Sequence, residues 1–193
     1  MEIWTVPVLP VELEDARSYA ERSRNHTLRK LEHQQSRYSD IKRNIVVGRV
    51  ARNVVARVLR DADIPCYFED SPSTQWKGYS IVTSGGHFIQ PRFIGDYPRH
   101  KNLPEDVRSF ERRPHDFYVA ATSSDELCNL DILGYATRRE LEERRPISFG
   151  HGVLNRYVPL DGLHPFAELI RLLRSSPDTA LESATATSRD NLL

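Results

Sequence analysis

Histidines and cysteines are the side chains in this 193-residue sequence that most often perform chemistry. His87, His115 and His151 are scattered over predicted strands and loops, with no pair at the spacing of a zinc site and no CxxC motif. Cys66 would need one of these histidines to act as a nucleophile, and a cysteine that opens an apolar strand is more often buried and inert. We therefore expect satisfied or exposed histidines and an unreactive thiol.

Two loops carry residue types that could contact a phosphate. Trp76, Lys77 and Tyr79 follow a stretch of serine, proline and threonine. The ring could stack on a nucleobase while the lysine holds a phosphate, or it could simply pack over the edge of a sheet. The segment Gly150-His151-Gly152 is a turn that is far too short to be a P-loop. Neither loop identifies a ligand by itself.

Charge is distributed unevenly along a chain whose formal net charge is zero. Residues 16–60 contain twelve arginines and lysines against three carboxylates, a net charge of +9, so the remainder carries −9. An arginine-rich face could attract nucleic-acid phosphates through counterion release. The alternatives are a solvated helical face, or a face that pairs with acidic residues in a subunit contact.

Composition limits the class of protein. The chain is 39% hydrophobic and 28% charged, which fits one domain, with or without a tail, and not a wholly disordered chain. No apolar run approaches the roughly 18 residues of a membrane span, and no secretory signal opens the chain, so we expect no membrane partner. Cys66 and Cys128 are too few for a disulfide framework, which favours a reducing, cytoplasmic setting.

Helical periodicity is strongest from Ile45 to Arg60, where valines and an alanine recur every three or four residues. The polar stretch 11–36 has only a weak apolar stripe, so a helix there would be bathed in solvent or covered by a partner. Pro165 starts a last helix with a narrow apolar face. The first ten residues are expected to form an extended arm, and the residues beyond Ser175 a flexible tail.

The remaining segments predict strands and turns. Strands are expected at 66–70, 78–83, 87–94, 115–122, 130–136 and 155–160. Pro91 cannot donate a ladder hydrogen bond, so its strand is expected to be at an edge, bulged or interrupted. Residues 95–114 contain three prolines and many charges, which is typical of an irregular surface loop. Thr137 and Glu140 have the spacing of a capping box for a short helix.

This order of elements predicts a mixed β-sheet flanked by helices, an α/β or α+β fold. It divides the chain into an N-terminal arm and polar helix (1–40), an α/β domain (41–175) and a flexible tail (176–193).

Five short segments between Asn44 and Leu173 carry a resemblance to a known family. They are Gly48 in the first strong helix, Gly78-Tyr79-Ser80, Ile89-Gln90-Pro91-Arg92, His115-Asp116-Phe117-Tyr118-Val119 and Gly134-Tyr135-Ala136-Thr137-Arg138-Arg139-Glu140-Leu141. In this order they resemble the PD-(D/E)XK nuclease superfamily, and most of all its small members from phages and mobile elements. The resemblance implies the restriction-endonuclease-like fold.

The same resemblance implies a catalytic centre on two adjacent strands. In the superfamily two carboxylates hold Mg²⁺ and a lysine assists the nucleophile. Here Ser80 stands at the Asp position, Gln90 at the Glu position and Arg92 at the Lys position. A serine binds Mg²⁺ weakly, and a guanidinium stays protonated. We therefore expect a degenerate site without a cofactor, unless a shifted register brings Glu69 or Asp70 into it.

Three functions remain open from the sequence. The first is a degenerate nuclease-fold protein that binds nucleic acid or a protein partner in a phage or prokaryotic defence setting. Its phosphate contacts would be Arg49, Arg52, Lys77 and Arg92. The second is an active Mg²⁺-dependent endonuclease, with ligands drawn from Glu69, Asp70 or Asp116 together with Gln90. The third is a structural subunit or homo-oligomer that docks through the arm and the polar helix.

Overall fold

A computed structural model describes residues 2–23, 38–68, 80–95, 101–112, 115–123, 126–148 and 153–175. Its helices are α1 (Pro10–Arg22), α2 (Tyr38–Asp61), α3 (Val107–Arg112), α4 (Arg138–Glu142) and α5 (Phe166–Ser175). Its strands are β1 (Trp4–Pro7), β2 (Cys66–Phe68), β3 (Ile81–Thr83), β4 (Phe88–Phe93), β5 (Asn102–Asp106), β6 (Phe117–Thr122), β7 (Asn129–Thr137), β8 (Ile147–Ser148) and β9 (Leu154–Pro159). The predicted α/β architecture, a mixed sheet with flanking helices, is confirmed.

Six strands form the main sheet in the order β1-β7-β6-β4-β3-β2. Neighbouring strands are antiparallel except β4 and β6, which run parallel. A second sheet of three antiparallel strands has the order β5-β9-β8. The sequence did not predict this second sheet, because β5 lies in the segment expected to be a loop.

Alternation along β6 separates two hydrophobic cores. Phe117, Val119 and Ala121 belong to the core that contains α2 and α5, while Tyr118 and Ala120 belong to the core under the second sheet. Successive side chains of a strand point to opposite faces, so the main sheet is covered on both sides. All six residues of β6 are buried.

The two strongest predicted helices are confirmed. The periodic residues of α2 are buried along the first core, and the helix begins at Tyr38, earlier than the expected Ile45. The apolar face of α5 is buried as expected, with Phe166, Leu169, Ile170 and Leu173 in the same core. No helix within the described ranges has the length and the apolar run needed to cross a membrane.

The N-terminal arm is part of the main sheet. Strand β1 pairs antiparallel with β7, and Trp4 packs edge-on against Phe166 with ring centroids 5.5 Å apart. Helix α1 then packs along α2 and buries Ala16 and Ala20. The polar helix is therefore covered by this chain itself. It ends at Arg22, and residues 24–37 lie outside the described residues.

The loop predicted at 95–114 is wrong for residues 102–112, which form β5 and α3. Strand β5 is at an edge of the second sheet, where Pro104 is tolerated because it needs no neighbour on its outer side. Pro91 lies inside β4, but the registered pairs of β3 with β4 end at Ile89. At Pro91, β4 is therefore paired only with β6 among the described residues. A proline fits there because its missing N–H has no partner to leave unsatisfied on the other side.

Gly134 lies inside β7, at the point where the segment that precedes α5 packs closely against this strand. Its φ is +144°, and a Cβ at this position would lie 2.5 Å from the carbonyl oxygen of His164. Tyr135 and His164 exchange two backbone hydrogen bonds of 3.0 and 2.9 Å. The predicted capping box follows directly, with the Glu140 carboxylate accepting hydrogen bonds from the backbone and hydroxyl of Thr137. Only glycine permits both the φ and the close approach.

The substitution Gly134→Ala should lower the free energy of unfolding by roughly 2–4 kcal/mol, because it combines a strained φ with a steric clash. Chemical denaturation measures this loss. Gly162→Ala is the matched control, since its Cβ would have its nearest neighbour at 3.9 Å, and it should change stability by less than about 1 kcal/mol. Equal losses in the two variants would contradict the close approach.

Candidate functional site

The three residues predicted at the catalytic positions lie on the same face of the main sheet. Gln90 and Arg92 alternate with the core residues of β4 and face the second sheet. Ser80 precedes β3, and continuing the β3–β4 register by one residue places it opposite Gln90. The resemblance therefore identified positions that share one face. Ser80 and Gln90 are buried.

Ser80 is paired with a histidine. Its Oγ lies 2.6 Å from Nε2 of His115, and both residues are buried. Tyr118 packs edge-on against the His115 ring, and its hydroxyl accepts a hydrogen bond from the His115 backbone N–H at 3.2 Å. Burial raises the pKa of Tyr118 above its ordinary value, so the phenol stays neutral. The serine hydroxyl is thus held inside the protein by a residue that lies just before β6.

Arg92 is paired with a buried carboxylate from the second sheet. Its Nε donates to Oε2 of Glu105 at 2.5 Å, and a second guanidinium nitrogen contacts the same oxygen. The Glu105 side chain is 3% exposed and that of Arg92 is 32% exposed. Burial raises the pKa of Glu105, although the cation beside it acts in the opposite direction. We call Ser80, Gln90, Arg92, Glu105, His115 and Tyr118 the buried polar cluster.

The donor groups of this cluster do not fit Mg²⁺. The ion prefers octahedral oxygen ligands, usually including one or two carboxylates. The Ser80 hydroxyl is held by His115, the Gln90 amide donates to the Pro91 carbonyl, and the Glu105 carboxylate is neutralised by a guanidinium. Within the described ranges, no group of three or more metal-binding side chains converges.

Asp116 is the one alternative ligand that lies among the described residues. The Asp116 carboxylate accepts a hydrogen bond from the backbone N–H of Phe88 at 2.8 Å, which fixes the start of β4. It therefore has a structural role that the sequence did not predict. Glu69 and Asp70, the ligands expected from a shifted register, lie outside the described residues.

The predicted phosphate contacts on α2 are inside the protein. Arg49 is 8% exposed and is bound by Asp15 of α1, and Arg52 is 1% exposed with its guanidinium 4.0 Å from the ring of Phe68. Each guanidinium is therefore held by a neighbouring side chain and is little exposed to solvent. Lys77, the third predicted contact, lies outside the described residues. Arg92, the fourth, is held by Glu105.

Sequence reasoning missed the partners that close the cluster. Glu105 was placed in an irregular loop, and its pairing with Arg92 depends on the contact between two sheets. His115 was singled out only as a histidine without a metal partner. The one available signal was its position at the head of the β6 motif, next to the strand that carries Gln90.

Comparison with protein-family models, curated proteins and solved structures gives no significant match.

The variant Arg92→Met should lower the free energy of unfolding by about 3 kcal/mol at pH 8, because it leaves the Glu105 carboxylate buried without its counter-charge. The folded-state pKa of Glu105 lies above the unfolded value, so the folded protein binds the proton more readily and regains stability as the pH falls. Denaturation at about pH 8 and pH 5 should therefore show the smaller loss at pH 5.

The double variant Arg92→Met/Glu105→Gln is the control, because a neutral amide replaces the stranded charge. It should recover most of the loss at pH 8 and remove its pH dependence. A loss in Arg92→Met that is the same at both pH values would show that the ion pair is not its origin.

Proposed function

We propose that this chain is a nuclease-like protein without catalytic activity that binds nucleic acid. The observation that carries the first part is the buried polar cluster. In it, neutral Ser80 and Gln90 stand where the resemblance implies metal-binding carboxylates, and Arg92, at the implied lysine position, is paired with Glu105. A nuclease of that type needs carboxylates free to bind Mg²⁺. In the buried polar cluster, the Glu105 carboxylate is held in an ion pair by the guanidinium of Arg92, which stays protonated. The PD-(D/E)XK resemblance and the phage or defence setting stay predictions within this proposal.

A displayed set of cations supports the second part. We call Arg108, Arg112, Arg144 and Arg145 the arginine surface. All four are exposed, and none has a carboxylate partner among the described residues. Arg138 and Arg139 of α4 differ, because each pairs with a glutamate four residues later. Unpaired guanidinium groups are the ones that can release counterions from a phosphate backbone.

One half-buried arginine, Arg156, contacts both halves of this surface. The Arg156 guanidinium lies 5.2 Å from the ring of Phe110 in α3, and it donates to the carbonyls of Leu141, Glu142 and Arg144 at the end of α4. The C-terminal parts of α3 and α4 therefore converge on the same side chain of β9. This convergence supports one continuous basic surface. Guanidinium groups also match phosphate geometry in a bidentate manner.

The variant Arg144→Ala/Arg145→Ala should weaken binding of a 20-base-pair DNA duplex about tenfold at about 50 mM salt. The slope of log affinity against log salt should become shallower by about two, one for each lost phosphate contact. Fluorescence anisotropy measures both quantities. Arg43→Ala/Arg171→Ala removes two exposed cations from α2 and α5, and this control should change affinity by less than about threefold.

Two outcomes would contradict this proposal. Absence of binding to duplex DNA, single-stranded DNA and single-stranded RNA at low salt would remove the nucleic-acid function. Cleavage of any of these substrates in Mg²⁺ or Mn²⁺, lost in Asp70→Ala, would restore the alternative of an active endonuclease.

A second candidate function is self-association as a structural subunit. Ile147, Val153 and Leu154 are exposed at the β8–β9 hairpin, with Leu154 54% exposed. Aliphatic side chains at the edge of a sheet favour a protein neighbour over a nucleic acid. Light scattering on the full chain should then give a dimer mass that Leu154→Lys reduces to the monomer. A monomer mass for the unsubstituted chain at about 100 μM would exclude this candidate.

A further inference from the structure

The cations of α2 face the carboxylates of α1 in an ordered series. Arg57 binds Glu12 through a 2.9 Å contact, Arg49 binds Asp15 at 2.7 Å, and Lys42 pairs with Glu21. Positions that rise along α1 meet positions that fall along α2, so the two helices run antiparallel. We call these three pairs the α1–α2 charge row. It pairs three of the twelve cations that the sequence places in residues 16–60.

Apolar burial contributes little to this helix contact. The residues of α1 that are buried are Glu12, Ala16 and Ala20, so only two small methyl groups are fully removed from water. Burying one methylene-sized group contributes about 0.8 kcal/mol, whereas a leucine or phenylalanine contributes two to three times as much. Leu13 is partly buried against the same core. Helix α1 is therefore held to α2 by a small apolar contact together with hydrogen-bonded charges. The charged contacts weaken in salt and are open to competition from other anions.

The guanidinium geometry in this row is the geometry that also binds phosphate. Two nitrogens of Arg49 reach the two carboxylate oxygens of Asp15, and two nitrogens of Arg57 reach both oxygens of Glu12. Asn53 adds a donor to Asp15 at 2.9 Å. Bidentate forks of this kind bind carboxylate and phosphate interchangeably. The α1 carboxylates thus occupy positions where the phosphates of a bound strand would be held.

A cleft at the beginning of α1 gives a ligand access to these cations. It has a volume of about 320 Å³ and is lined on the α2 side by Arg49, Asn53, Arg57 and Arg60. Arg60 is exposed and binds the backbone carbonyl of Cys66 at 3.1 Å. Phe68 and Val11 form apolar walls. Glu12, Asp15 and Asp61 also line the cleft. A phosphate that enters it therefore meets three guanidinium groups and competes with these carboxylates for them.

We infer that the face of α2 covered by α1 is a second nucleic-acid site, which the α1 carboxylates occupy until a phosphate backbone displaces them. This inference rests on the proposed function and adds a regulated site to it. The site lies on the opposite face of the main sheet from the arginine surface, and α1 limits access to it. Phosphate replaces carboxylate at Arg49 and Arg57, and no covalent bond changes. Helix α1 remains attached to the main sheet through β1.

The test compares two variants that remove the same amount of negative charge. Asp15→Asn/Glu21→Gln weakens the charge row, whereas Glu2→Gln/Glu14→Gln removes two exposed carboxylates that have no ion pair among the described residues. On a 20-base-pair duplex at about 50 mM salt, the first variant should bind at least about fivefold tighter than unsubstituted protein. Its salt slope should be steeper by about two, and the control should change affinity by less than about twofold.

Amide hydrogen exchange on the unsubstituted full chain gives an independent readout. Saturating duplex DNA should accelerate exchange across α1 while leaving β6 and β7 protected, because only the helix is displaced. Equal affinities for the two variants, or unchanged α1 protection with DNA bound, would overturn the second site. If binding depends on Arg144 and Arg145 but the two variants agree, this inference fails and the proposed function stands. If no form binds DNA, both fail.

Discussion

The backbone of β6 has to be hydrogen-bonded on both edges and covered on both faces, and this requirement organises the whole molecule. Strand β4 satisfies one edge in parallel and β7 satisfies the other in antiparallel orientation. Helices bury Phe117 and Val119 on one face, and the second sheet buries Tyr118 on the other. The buried polar cluster exists because this second layer covers positions that would otherwise face solvent. Without the second sheet, one face of β6 and the polar side chains of the cluster would both be exposed to water.

Burial also decides what the charges of this protein can do. A net charge of zero conceals cations that the linear sequence concentrates in residues 16–60. Among these cations, Arg49 and Arg57 pair with carboxylates of α1. Outside that range, Arg92 pairs with Glu105, and exposed arginines remain on α3 and after α4. Charge along a sequence therefore indicates a potential partner, but side-chain burial determines which cations remain available to it.

Much of the fold was predictable, because α2, α5, β6 and β7 have patterns that local periodicity explains. The capping box at Thr137 was predictable for the same reason, since its two residues are three positions apart. The errors arose where long-range contacts decide. Strand β5 forms because β9 pairs with it, and Glu105 becomes part of a site only when Arg92 reaches it across two sheets. The sequence resemblance singled out Ser80 and Gln90, which share one face of the sheet, but it could not identify His115 and Glu105 as members of the same cluster.

The paired hydrogen bonds between Tyr135 and His164 have a topological consequence. They hold Tyr135 and His164 side by side, so the chain between them begins and ends at the same place on the main sheet. We call this intervening segment, which contains α4, β8 and β9, the excursion. Helix α5 begins two residues after His164, so its position depends on the pairing of His164 with Tyr135 and not on the conformation of the excursion. Insertions or deletions near the β8–β9 hairpin can be absorbed inside the excursion without moving α5 off the first core. The excursion can thus diversify its surface while the main sheet keeps its register.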